Sequence, residues 1–435
     1  MTPYWSHFVF TLLWFMELKM ALNEESIKKV LSLVKSWVEG PERPDTSKIT
    51  KVSPVLGWKV TKENGNECIG LKAYLPFQTI LFLYGGLPAN LVYSMPNKMA
   101  WLNLAFGGEE GVWLKNHVPF LDENFQPEFS HVNLLLDLLG EDNTAGYGRG
   151  YYGFGEAGVG KTSTAAWLAA VLNQPVVQMN CKPNMEVEEM FISHTCHNGV
   201  WDQSEGPILQ AIHHNIPLVI DELDLAPQEF VPALNNLIEG RKFSVPFLEE
   251  SVVQAGSCFK IIGFGNTGAY GSEVGSYNGR SSLDASTLDR MYKDYYQPLT
   301  VEKFEAVIRK NFTVEQIDES LKTKLANFAV QMNKNARDGA FPELISPRGL
   351  ISLCRQAVQN TCVVKQPILY AIGTVYGSVL ESSDYLEKML SVYSGFLSES
   401  SASTNALQKL WDDRALPCSR VTSILADKDS KKKVA

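Results

Sequence analysis

Residues Gly153–Thr164 read GFGEAGVGKTST, with four glycines in the eight residues from Gly153 to Gly160. Within this stretch, Gly155-Glu156-Ala157-Gly158-Val159-Gly160-Lys161-Thr162 satisfies G-x-x-x-x-G-K-[ST]. Glycines at these positions let consecutive backbone N–H groups converge on phosphate oxygens. Lys161 is placed to reach the β- and γ-phosphates, and the Thr162 hydroxyl to ligate Mg²⁺. The alanine-rich segment STAAWLAAVL that follows predicts a helix whose positive end points at the same anion, so Ser163 at its start joins the binding set. Such a loop specifies a nucleotide and leaves the kind of machine open.

Two strand-like runs lie downstream. PLVIDELD (Pro217–Asp224) is apolar and ends in carboxylates sixty residues after Lys161. This order puts Asp221 near the metal and Glu222 toward the attacking water, which a carboxylate can orient and polarise. CFKIIGFGN (Cys258–Asn266) is a second buried-type strand with Asn266 at its tip. Ligands of open parallel sheets gather at the carboxyl ends of the strands, so Asn266 is expected beside the γ-phosphate.

The surrounding chain alternates strands and helices from about residue 130, the signature of a mostly parallel sheet: a helix over Ser130–Leu139, the glycine loop and its helix, the strand PVVQMNC, the strand PLVIDEL, the helix FVPALNNLIE and the strand CFKIIGFGN. From Val301 to about Leu397 the pattern is mostly helical. Before the sheet, LNEESIKKVLSLVKSWV predicts a helix. Residues 53–118 read as β-rich: a turn cluster at Asn64–Asn66 between two strand-like runs, then TILFLY and NLVYSM as further strands. FISHTCHNGVWDQSEGPI carries an Asn198-Gly199 hairpin signal. His194, Cys196 and His197 sit too close together for a zinc site without a second ligand pair; the hairpin is expected to face a central pore, with His197 and Trp201 near its tip.

Several blocks together resemble AAA+ ATPases of the MoxR-like group, most nearly the ATPase subunit of aerobic cobaltochelatase. DELDLAP is similar to the family's D-E-x-D stretch, GNTGAYGSEVGSYNG to its Asn-Thr and glycine-rich loop, LDASTLDRM to its arginine-finger segment, and ISPRGLISLCRQA to the Ser-Pro-Arg start of a lid helix. The likeness runs from about residue 130 to 385. It implies an α/β P-loop NTPase module, a parallel sheet flanked by helices with a helical lid, here preceded by a small N-terminal α+β domain. It implies ATP and Mg²⁺ as cofactors, Arg290 as a finger on a neighbour's γ-phosphate, and Arg348 as the lid arginine that senses nucleotide. Met291 departs from the aromatic residue the family usually has after the finger. The resemblance also implies a homo-oligomeric, hexameric ring and a protein partner with a von Willebrand factor A-type domain. About a hundred N-terminal residues lie outside it, which weighs against a cobalt-chelation role.

The expected division is 1–19 as a non-structural extension, 20–120 as an α+β partner-binding domain, 130–300 as the ATPase core, 301–397 as the lid and 398–435 as a flexible polar end. Phe8–Met16 is an apolar run of nine, too short to span a bilayer and without a basic start, and Met20 is the natural first residue. No other segment approaches membrane-spanning length. Seven scattered cysteines with no CxxC pair fit reduced thiols in the cytoplasm. The net charge of −9, with five Lys and no Arg in 53–118, disfavours the rival class, an AAA+ motor acting on nucleic acid in a restriction or defence complex. A scaffold that binds nucleotide without turnover would not need Lys161, Asp221, Glu222, Asn266 and Arg290 all intact.

Overall fold

The computed structural model describes residues 55–62, 65–84, 87–106, 111–123, 125–140, 150–197, 200–245, 252–256, 258–267, 283–360, 367–376 and 383–397. The expected helix after Met20, the run Phe8–Met16, the Asn198-Gly199 turn, the glycine-rich loop after Thr267 and the C-terminal end lie outside the described residues.

Strands β1 (Val55–Lys62) and β2 (Gly65–Pro76) pair antiparallel, as the turn cluster between them predicts. The next two segments correct the sequence reading. TILFLY lies in helix α1 (Phe77–Tyr84) and NLVYS in helix α2 (Ala89–Ser94). Apolar runs of this length fit a strand or a buried helix equally well by pattern, and here Phe77, Ile80 and Leu81 recur at helical spacing and are buried. Strand β3 (Met99–Phe106) then completes a three-stranded antiparallel sheet on β2, and the short helix α3 (Gly111–Asn116) and helix α4 (Phe129–Gly140) follow.

The sheet that positions the site begins with β4 (Gly150–Gly155), which runs into the glycine loop and helix α5 (Lys161–Val171). β5 (Val177–Asn180), helix α6 (Val187–Phe191), the antiparallel hairpin β6 (Ile192–His197) and β7 (Val200–Glu205), helix α7 (Pro207–His213) and β8 (Leu218–Asp221) come next. After two 3₁₀ turns, helix α8 (Val231–Glu239), the small pair β9 (Phe243–Ser244) and β10 (Val252–Val253), β11 (Ile261–Gly265), helix α9 (Ala285–Asp289) and β12 (Met291–Tyr296) close this part. The sheet order is β12-β4-β11-β8-β5. β11 runs parallel to both β4 and β8, and β5 parallel to β8. A sheet covered on both faces needs strands apolar on both faces; Leu218, Val219 and Ile220 are all buried, as is the whole of β11.

One edge of this sheet carries a buried polar cluster that the pattern did not reveal. The Tyr151 hydroxyl donates to Asp294 Oδ2 at 2.5 Å, and His131 Nδ1 lies 2.8 Å from the same oxygen. The His131 ring stacks on Tyr296 at 3.7 Å, and the Tyr151 and Tyr296 hydroxyls are 2.9 Å apart. Burial, then the nearby Tyr296 and Asp294, hold the Tyr151 phenol well above its ordinary range. These groups tie α4 to β4 and β12.

The described residues form two compact units. The first takes in those up to Phe154, those from Gly160 to Thr267, and 283–296; the second takes in Gly155–Val159 and everything from Gln297 onward. The second unit is helical: α10 (Val301–Asn311), α11 (Glu319–Arg337), α12 (Pro347–Asn360), α13 (Pro367–Val375) and α14 (Ser383–Phe396). Its core forms because each helix buries one stripe. In α12 that stripe is Leu350, Leu353, Cys354 and Ala357, a three-four spacing along one face. The Asp318 side chain caps α11 by accepting from the Leu321 N–H at 2.9 Å.

Candidate active site

The loop after β4 keeps its shape through glycine conformations. Gly158 and Gly160 have φ of 80° and 96°, where side chains are strained, and a Cβ on Gly158 would lie 2.8 Å from Pro347 Cδ. The start of α12 thus packs on the loop within the second unit. Arg337, the last residue of α11, forms a two-pronged ion pair with Glu156 of the loop, Nη2 lying 2.9 Å from Oε2. Arg337 was not singled out from sequence. Arg348, one residue into α12, is exposed.

In the first unit, the ends of β8 and β11 and the first turn of α5 converge. Lys161, a residue only 7% exposed, donates from its ammonium to Asn266 Oδ1 at 2.8 Å. Asn266 Nδ2 donates to both Glu222 carboxylate oxygens at 3.1 Å. One amide therefore bridges the cation of the phosphate loop and the carboxylate assigned to the water, and each partner fixes the amide's orientation. Thr162 Oγ1 donates to Asp221 Oδ2 at 3.1 Å. Both side chains open onto a cleft of about 190 Å³ that Gln178 and Asn180 also line. Ser163 is exposed at the start of α5.

Glu222 itself sits in the left-handed region at φ 55° and ψ 40°, and its N–H donates to Asp221 Oδ1 at 3.2 Å. A non-glycine residue held there costs on the order of 1–3 kcal/mol, which the surroundings must offset. The twist turns the chain sharply after β8, so that Asp221 and Glu222 address different neighbours, Thr162 and Asn266.

The oxygen donors at Thr162 and Asp221 are the hard ligands that Mg²⁺ accepts. Among the described residues no group of three or more His, Cys, Asp or Glu could hold a metal alone. A pair of protein oxygens fits Mg²⁺, which takes few protein ligands and completes its shell with phosphate and water. Cys181, buried beside this site, does not compete as a nucleophile. Burial first, then the charges of Asp224, Asp221 and Glu222, pushes its thiol up to about 12.

Arg290 follows α9 in the first unit, apart from this cluster. Its Nε lies 2.7 Å from Glu239 Oε1, its Nη1 donates to the Ser286 carbonyl at 2.6 Å, and its side chain is 30% exposed. Arg241 Nε reaches the other Glu239 oxygen at 2.5 Å. Of the expected set, the first unit brings together Lys161, Thr162, Asp221, Glu222 and Asn266. Arg290 is held by Glu239 and Ser286 instead. The backbone hairpin expected for the pore is present as β6–β7.

A glycine loop opening a helix, carboxylates at the end of one parallel strand and an amide at the tip of the next are the arrangement of a P-loop α/β domain. Consistently, residues 154–291 match the family model described as AAA domain (dynein-related subfamily). The chain is 32% identical over 124 residues to an uncharacterised protein of Staphylococcus haemolyticus (strain JCSC1435), a match covering 27% of this chain and 47% of that protein. It is 26% identical over 210 residues to an uncharacterised protein of Staphylococcus aureus (strain NCTC 8325 / PS 47), covering 46% of this chain and 74% of that one. The chain thus spans less than half the length of the first of these relatives. A crystal structure described as a candidate ATPase from Cytophaga hutchinsonii ATCC 33406 is 16% identical, with 53% of this chain and 79% of that chain covered and a TM-score of 0.31. Among the described residues no helix is long and apolar enough to cross a membrane.

Proposed function

We propose that this chain hydrolyses ATP and couples the reaction to remodelling of a partner protein. The observation that carries the reading is the bridge Lys161–Asn266–Glu222 beside the pair Thr162–Asp221. This geometry supports the reading because phosphoryl transfer to water needs a cation at the phosphates, a carboxylate at the water and oxygen ligands for Mg²⁺ close together.

In this mechanism the backbone amides of Gly155–Thr162 and the Lys161 ammonium hold the phosphates. Thr162 and Asp221 would hold Mg²⁺, which would supply positive charge to the phosphate oxygens. When nucleotide enters, Lys161 exchanges Asn266 for phosphate. Asn266 then faces the γ-phosphate on one side and Glu222 on the other, and the Glu222 carboxylate orients the attacking water and accepts its proton. Arg290 acts in trans, supplied by the neighbouring chain of a hexameric ring, and Arg348 is the nucleotide-sensing arginine that the resemblance implies. The MoxR-like resemblance supports a von Willebrand factor A-type partner.

The test is steady-state phosphate release with Mg²⁺-ATP. Glu222→Gln should still bind a fluorescent ATP analogue but lose turnover; wild-type-like turnover in that variant overturns the assignment.

A further inference from the structure

Asp224 is the most completely buried charged group beside the site, at 0% exposure, and no step above uses it. It lies in the 3₁₀ turn Leu223–Leu225, two residues past Glu222. One oxygen, Oδ2, accepts from three donors on the tip of β11: the Asn266 N–H at 3.0 Å, the Thr267 N–H at 3.1 Å and the Thr267 hydroxyl at 3.0 Å. The same tip is gripped from β4, where the Tyr152 hydroxyl donates to the Thr267 carbonyl at 2.9 Å. The packing leaves no room for a side chain at Gly265, whose Cβ would fall on the Tyr152 hydroxyl and 3.0 Å from Asp224 Cγ.

We infer that Asp224 is the positioning residue of this site. Its buried carboxylate staples the turn that carries Glu222 to the strand tip that carries Asn266, and so sets the distance between the water-orienting carboxylate and the amide that bridges it to Lys161. Two elements far apart in the chain, Glu222 and Asn266, must stay in register to within a few tenths of an ångström for one amide to serve both partners. Backbone pairing cannot do this at the tip, because the β8–β11 ladder ends at the pair Gly263–Ile220 and leaves Asn266 beyond the last ladder contact. Charge-assisted bonds from a carboxylate to backbone N–H groups are about twice as strong as neutral ones, and a dry site strengthens them. The inference rests on the ATP-hydrolysis reading for its kinetic consequence but not for its structural one.

The full chain is assayed in two ways. In steady-state ATP hydrolysis, Asp224→Ala is expected to lower kcat at least tenfold with KM for ATP changed less than threefold. Asp224→Asn, which can keep an acceptor oxygen at the same place, should recover most of the loss. On an Asn266→Ala background the further loss from Asp224→Ala should nearly vanish, since there is no amide left to position. In hydrogen–deuterium exchange without nucleotide, the peptide containing Asn266 and Thr267 should exchange at least tenfold faster in Asp224→Ala and in the independent variant Thr267→Val only a few-fold faster. Unchanged kcat and unchanged exchange, or kinetic losses that multiply fully with Asn266→Ala, overturn the positioning role. Should wild type release no phosphate, the function reading falls while the exchange measurement still decides the role of Asp224. Where Asp224→Ala does not fold, Thr267→Val carries both measurements, and wild-type exchange in that variant refutes the staple.

Discussion

Removing the Arg290 side chain separates two roles that its surroundings leave open, a local ion pair and a catalytic charge for a neighbour. Locally, Arg290 gives Nε to Glu239 and Nη1 to the Ser286 carbonyl, with 30% of its side chain in solvent. Arg241 holds the second Glu239 oxygen, so Arg290→Ala leaves that carboxylate paired. A partly exposed ion pair whose carboxylate keeps another partner is worth about 0–1 kcal/mol, so the melting temperature should fall by only a few degrees. Catalytically, an arginine that neutralises charge on a transferring phosphoryl group is worth about 10³–10⁵ in rate, or about 4–7 kcal/mol at 1.36 kcal/mol per tenfold. The two magnitudes differ enough to be told apart in one variant. Arg290→Ala should fold, bind a fluorescent ATP analogue near normally and lose at least a thousandfold in kcat. Mixed with Glu222→Gln at several ratios, it should recover part of the activity, because some subunits with an intact Glu222 then receive an intact arginine from the neighbour. A loss of turnover matched by a loss of thermal stability, or mixed assemblies with no recovery, would refute the trans role.

Other outcomes follow from particular contacts. Lys161→Ala should weaken ATP-analogue affinity by at least tenfold in a fluorescence titration, whereas Glu222→Gln should leave affinity within about threefold, since only Lys161 is expected to hold phosphate. Gly158→Ala should impair nucleotide binding more than global stability: φ of 80° and the approach to Pro347 oppose the side chain where the loop must close on phosphate, as titration and thermal melts run together would show. Asp294→Ala removes the acceptor that the buried Tyr151 hydroxyl and His131 share and should cost about 1–3 kcal/mol in chemical denaturation, with KM unchanged. Cys181 and Cys354, whose thiols burial pushes up to about 12, remain protonated in the folded chain up to pH 10. Peptide-resolved alkylation at pH 8 should label both only after unfolding.

The grouping of the candidate site residues was legible in the chain because each of its parts is a local pattern. Gly155–Thr162, the carboxylates ending Leu218–Asp221 and Glu222, and Asn266 ending Ile261–Gly265 each depend on residue type next to a strand end, and parallel pairing then carries all three to one edge. The helices α1 and α2 were misread as strands because short apolar runs carry no period that separates the two. Only the tertiary structure decided the rest. DELDLAP displays Asp224, but nothing in its sequence says that a buried oxygen there meets Asn266 and Thr267 forty-odd residues later. The Tyr151–Asp294–His131 cluster, the Glu156–Arg337 pair and the tie between Arg290 and Glu239 join residues 51 to 181 positions apart. Hydrogen bonds between side chains depend on where the backbone delivers each partner, and that delivery is set by packing of the whole sheet and helical core rather than by any local pattern.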